Sequence, residues 1–169
     1  MDCSLDPLPE VNHDKALHQV RASPHGLGDF RSRIAFLEGG PLTLATVRSA
    51  STLPDAALER ACRCAQVAAD NKARDILVLD LRGITPLFDF FVLATGTSRR
   101  QIHTLAEEID AMMRAEGDTR LTIEGYEASK WVVQDYGDIV VHLFDPETRA
   151  FYGLEDLWAD APRLDWEHY

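Results

Sequence analysis

The run DIVVHLF at 138–144 constrains this chain more than any other stretch. Ile139, Val141 and Leu143 alternate with Val140, His142 and Phe144, so both sets of a two-residue period are largely apolar. A strand of that kind must be covered on both faces, which puts it in the middle of a sheet with a layer on either side. WVVQDY at 131–136 precedes it across Gly137 and reads as its hairpin partner. ILVLDL at 76–81, FFVLAT at 90–95 and LTIEG at 121–125 complete a set of five strands, with Gly83 and Pro86 breaking the chain between the first two.

The helices are marked by period and by caps. Ser98 stands three residues before Gln101, a capping box, and Ile102, Leu105, Ala106, Ile109, Met112 and Met113 form one apolar stripe that Gly117 ends. The two methionines read as core filling. Thr52-Leu-Pro-Asp55 opens an earlier helix, in which Leu58, Ala61, Cys62, Ala65, Ala68 and Ala69 recur at helical spacing. Asp145-Pro146 ends the last strand, and FYGLEDLW at 151–158 suits a short helix with Leu154, Leu157 and Trp158 on one side. Helix, two strands, helix, three strands, helix is an α/β order, and it predicts a mixed five-stranded sheet packed with helices.

Three segments follow. Residues 1–54 contain SPHGLGD, EGGP and RSASTLP without a sustained period and read as a flexible extension, with LTLATV at 42–47 a brief element inside it. Residues 55–160 are the folded module, and 161–169 a C-terminal tail. The extension carries six acids against five bases, so nearly all of the net charge of −11 falls after it, where 22 acids face 12 bases. Such a chain is not expected to bind nucleic acid by neutralising its backbone, which needs a basic patch, and a basic protein partner suits it better.

Cys3, Cys62 and Cys64 are odd in number, and the close pair is C-x-C on a helical pattern. A zinc site needs more ligands, so these read as packing cysteines of a reducing compartment. No stretch approaches the length of a membrane-spanning helix, and MDCSLDPLPE lacks the basic and apolar regions of a secretion signal, so the expectation is a cytoplasmic protein. Arg21, Arg31, Arg33 and Arg48 leave an organelle-targeting reading of the extension open, against which its acids count.

LATGTSRRQ at 93–101 raises the question of a phosphate-cradling loop. No lysine follows a Walker spacing. A nucleotidyltransferase-like enzyme would need an Asp-x-Asp pair to hold Mg²⁺ on the next strand, where this chain has Glu124 and Glu127, three apart, with Gly125 between them. The stretch therefore reads as a turn and a helix cap. Asp80 alternates within a strand, Asp135 and Asp138 flank a hairpin turn, and His142 sits mid-strand as a structural or interface residue, so no active site assembles. What stands out is aromatic surplus. Trp131, Tyr136, Phe144, Phe151, Tyr152, Trp158, Trp166 and Tyr169 crowd the last part of the chain, interleaved with Asp135, Asp138, Asp145, Glu155 and Asp156. Aromatic anchors among charges mark an interface, and packing in the core is the competing explanation.

DILVLDLRG, FDFFVLATGTSRRQ, IEGYEASKWVVQDYGDIVVHLFD and R-x-FYGLEDLW, in that order over residues 55–160, resemble the ribosomal silencing factors, or Iojap-like proteins. The resemblance implies a nucleotidyltransferase-like topology without the catalytic carboxylates, hence no enzyme and no cofactor. It implies a translational repressor that binds the large ribosomal subunit at its protein number fourteen, blocks joining of the small subunit and lowers translation when nutrients are short. It also implies a cytoplasmic homodimer without membrane or sequence-specific nucleic acid binding, and organelle relatives that act in large-subunit assembly. An enzyme using Mg²⁺ and a nucleoside triphosphate, and a large-subunit assembly factor, are the alternatives. Trp131, Asp135, Tyr136, His142, Tyr152, Glu155 and Trp158 stand at the hallmark positions of the family, and some of them are expected to form the ribosomal-protein contact. Residues 1–54 lie outside the resemblance, which leaves an extra partner, organelle targeting or a misassigned start codon open.

Overall fold

The computed structural model describes residues 54–169. The expected extension, its LTLATV element and the Thr52 cap lie outside these residues. Helix α1 spans Pro54–Asp70 and leads into β1, Arg74–Asp80, and β2, Phe90–Thr95. Helix α2, Arg99–Ala115, is followed by β3, Thr122–Glu124, β4, Trp131–Asp135, and β5, Ile139–Phe144. The five strands form one sheet in the order β1-β2-β5-β4-β3, with β5 in the middle as its two-sided apolar pattern requires. Only β2 and β5 run parallel; the other three pairings are antiparallel.

The alternation along the strands sorts the core into two layers. Phe90, Val92, Ala94, Ile139, Val141 and Leu143 face α1 and α2. On α1 the residues at that seam are Ala57, Ala61, Cys64, Ala65 and Ala68, small enough to let the helix lie close to its neighbours. Cys62 and Cys64 are both free and both buried, and burial raises each thiol above its ordinary pKa, which suits packing groups and not nucleophiles. On the opposite face Phe91, Leu93, Trp131, Val133, Val140 and Phe144 have a thinner cover.

That cover differs from the single helix expected at 151–158. A helix α3 already begins at Pro146 and runs to Tyr152; Gly153 then takes the left-handed conformation (φ 51°) and a four-residue helix α4, Leu154–Leu157, follows. Asp145 caps α3 by accepting the Thr148 N–H at 2.7 Å, and Pro146 sits where its missing N–H costs nothing. The Asp-Pro pair thus ends a strand and starts a helix. Residues after 160, expected as a tail, also pack. Asp80 N–H donates to the Pro162 carbonyl at 2.9 Å and Leu164 N–H to the Val78 carbonyl at 2.9 Å, so this strap lies along the free edge of β1. Leu164 and Trp166 then rest against the α1 layer.

The stretch around Gly96 is a tight turn into α2. Ser98 Oγ accepts the Gln101 N–H at 3.2 Å, while Gln101 Oε1 reaches back to the N–H of Thr97 at 2.8 Å, one residue earlier than a standard capping box. Gly96 is required by packing, because a Cβ there would lie 2.5 Å from Ile102 Cγ1.

Candidate partner-binding face

The thin side of the sheet gathers six of the seven residues singled out above. At its centre His142 is wholly buried on β5, enclosed by Phe91 (ring centroids 4.7 Å apart), Trp131 (6.0 Å) and Phe144 (6.2 Å). Trp131 Nε1 donates to His142 Nδ1 at 3.2 Å, which fixes a neutral imidazole with its proton on Nε2. Removal from water drives the His142 pKa down to about 3, so it stays neutral at every physiological pH. Asp135, also buried, closes the hairpin by accepting the Gly137 N–H at 2.7 Å.

Above this layer come side chains that reach solvent. Tyr152 on α3 lies against Trp131, with ring centroids 4.8 Å apart, and is half-buried. Trp158, just past α4, meets Phe91 edge-on at 5.6 Å and is also half-buried. Phe151 stands next to Tyr152 and is 67% exposed, an apolar ring left in water with its edge toward a second one. Leu157 adds to the same patch. Glu147 on α3, Asp156 on α4 and Asp160 just beyond it are exposed.

Tyr136 is the exception. It belongs to the α1–α2 layer, where its hydroxyl donates to Asp110 Oδ1 at 3.3 Å, and burial beside that carboxylate raises its pKa. Of the seven, then, Trp131, Asp135, Tyr136 and His142 are buried, whereas Tyr152, Glu155 and Trp158 are half-buried. Trp131, Asp135 and His142 lie beneath the thin face, and Tyr152, Glu155 and Trp158 are part of its cover.

Two residues outside that set shape the face. Phe91 touches both His142 and Trp158, and its signal was the doubly apolar FFVLAT run. Arg149, on α3, is buried and locks the cover to the sheet: Nη1 donates to the Asp75 carbonyl at 2.5 Å and to Thr95 Oγ1 at 2.8 Å, while Nε meets Glu155 Oε1 at 3.0 Å. Glu155 is thus half of a clamp that holds α4 against α3. Recognising Asp145-Pro146 as a helix start would have placed Arg149 on this helix.

The carboxylates weighed for catalysis do not converge. Glu124 lies on β3 at the sheet edge and Glu127 in the loop beyond it, where its side chain is 95% exposed. Among the described residues no group of three or more His, Cys, Asp or Glu could hold a metal ion, and no helix is long and apolar enough to cross a membrane.

Known proteins place the chain in a family. A relative in Halalkalibacterium halodurans named ribosomal silencing factor is 40% identical over 98 residues, covering 58% of this chain and 84% of the relative. A mouse protein named for mitochondrial assembly of the ribosomal large subunit is 38% identical over 91 residues, 52% of this chain and 40% of its own length. A crystal structure from Chromobacterium violaceum superimposes with a TM-score of 0.57 at 34% identity, over 62% of this chain and 85% of that one. The family model described as ribosomal silencing factor during starvation matches residues 54–169, all of the described residues, and the chain belongs to that family.

Proposed function

We propose that this protein binds the large ribosomal subunit through its thin face and keeps the small subunit from joining. The observation that carries the reading is the set of Phe151, Tyr152, Leu157 and Trp158, apolar and partly exposed, over a bed of buried aromatic side chains. A strongly acidic module with apolar anchors fits a basic protein partner, and the family resemblance points to ribosomal protein number fourteen. The test adds the purified chain to separated subunits and follows joining in a sucrose gradient. The expected outcome is loss of the full ribosome peak at saturating protein, weakened by Phe151→Ser; unchanged joining would overturn the reading.

A second reading, a role in large-subunit assembly, is favoured by the name of the mouse relative. It differs in one outcome: binding would be confined to immature subunits. The enzyme alternative is tested by thermal shift with ATP, GTP or CTP and Mg²⁺. A ligand at a hundred times its Kd would stabilise by about 2.7 kcal/mol, and no shift is expected.

A further inference from the structure

Net charge hides how the cations of this protein are placed. Most lysines and arginines among the described residues are tied to carboxylates, as Arg60 is to Asp118 and Asp138 and Arg149 is to Glu155. Lys72, Arg74 and Arg100 have no such partner among the described residues, and Arg99 has only a 3.9 Å approach to the fully solvated Glu127. All four are exposed, and the fold brings them to one end of the sheet. Arg74 pairs in register with Thr95, the last residue of β2, and α2 begins four residues later with Arg99 and Arg100. The Gln101 side-chain amide donates to the Asn71 carbonyl at 2.9 Å, which ties the Lys72 turn to the first turn of α2. The acids nearest along the chain are Asp70 and Asp75, with Glu127 across from Arg99. Cations hold the majority here, on a module that is otherwise strongly acidic.

We propose that this end contacts the phosphate backbone of structured RNA without reading its bases. Four long, solvated side chains hold a single anion poorly, because each would lose rotamer freedom for one screened contact. A phosphate chain engages several at once and releases counterions as it does so. Three of the four are arginines, whose planar fork matches phosphate oxygens two at a time. The acidic remainder of the surface repels RNA, so an approaching strand is received at this end alone and the molecule is oriented on it. The inference does not depend on the thin-face reading, because it involves different residues and a different partner.

The experiment is fluorescence anisotropy of a labelled RNA stem-loop with the full chain in 50 mM KCl. Wild type is expected to bind, and with about four phosphates of the duplex stem engaged a rise to 200 mM KCl weakens it by about a hundredfold or more. The triple variant Arg74→Gln, Arg99→Gln, Arg100→Gln should lose about tenfold or more in affinity and about two units of salt slope. Arg163→Gln, at an unpaired cation elsewhere, should change binding less than about twofold. The substituted side chains are all exposed, and an unchanged melting curve checks that the triple variant folds. Absence of stem-loop binding by wild type at 50 mM KCl overturns the proposal, and so does an equal loss in Arg163→Gln. Equal competition by a polyglutamate peptide of matched charge overturns it in favour of acidic proteins. Phe151→Ser, which tests the thin face, should leave RNA binding intact, so the two readings stand or fall separately.

Discussion

Trp158 shows how a single residue serves fold and surface together. Its ring lies edge-on to Phe91 and is only half-buried, so Trp158→Ala removes part of a core contact and part of a surface. The expected loss of stability is about 2 kcal/mol, below the 3–5 kcal/mol of a fully buried tryptophan, as read from urea melts. A loss as large as for a fully buried ring, with affinity per folded molecule unchanged, would show that Trp158 acts as core alone. His142 gives a pH signature. Its folded pKa of about 3 lies below the ordinary 6.5, so between those values the unfolded chain holds a proton that the folded one does not. Its stabilising contribution is complete above about pH 6.5 and shrinks as the pH falls, by about 1.4 kcal/mol between pH 7.5 and 5.5. Urea melts at those two pH values should show a shallower dependence in His142→Asn than in wild type, and equal slopes would argue against a neutral buried imidazole. That His142 is structural was legible from its place in an apolar strand. That it accepts from Trp131 was not, because the pairing depends on register across a hairpin.

At the scale of elements, the turn into α2 is the most informative. Gly96→Ala would drive a Cβ into Ile102, a wholly buried side chain that starts the apolar stripe of α2. The expected cost is about 1–3 kcal/mol, checked by thermal melting, and a neutral substitution would mean that the turn yields. Strands and helices with a strong period were legible: β2, the hairpin of β4 and β5, and α2 all fall where the pattern puts them. Helix α3 was not, since seven residues are too few to establish a period and Asp145-Pro146 carries two meanings at once. The aromatic crowding was visible in the sequence as well. Which rings form the bed and which the surface depends on the alternation of β4 and β5 and on a helix break at Gly153, both of them tertiary outcomes. Charge behaved likewise, since a sum over the chain cannot show that Lys72, Arg74, Arg99 and Arg100 meet at one end of the sheet.

For the whole molecule, the relation between the two surfaces matters most. The face proposed to bind protein and the end proposed to contact RNA belong to one sheet, joined where Arg149 bonds Thr95 beside the entry to α2. A ribosomal binding site offers protein and RNA side by side, so loss of either surface should weaken subunit binding, and loss of both should cost more than the sum of the two changes in binding free energy if they act as linked sites. The check is subunit binding of Phe151→Ser, of the triple arginine variant and of their combination. The parallel pairing of β2 with β5 carries a different consequence. Between Thr95 and Ile139 lie α2, β3 and β4, so the middle of the sheet stays open until the chain has been made past Phe144. During its own synthesis the protein must therefore remain without a finished core until β5 has left the exit tunnel. A fragment ending at residue 138 should lack cooperative unfolding and protected amides in hydrogen exchange, whereas one ending at 158 should regain both. The thin face, built on Trp131, His142 and Phe144 of β4 and β5, therefore cannot assemble before β5 has been made.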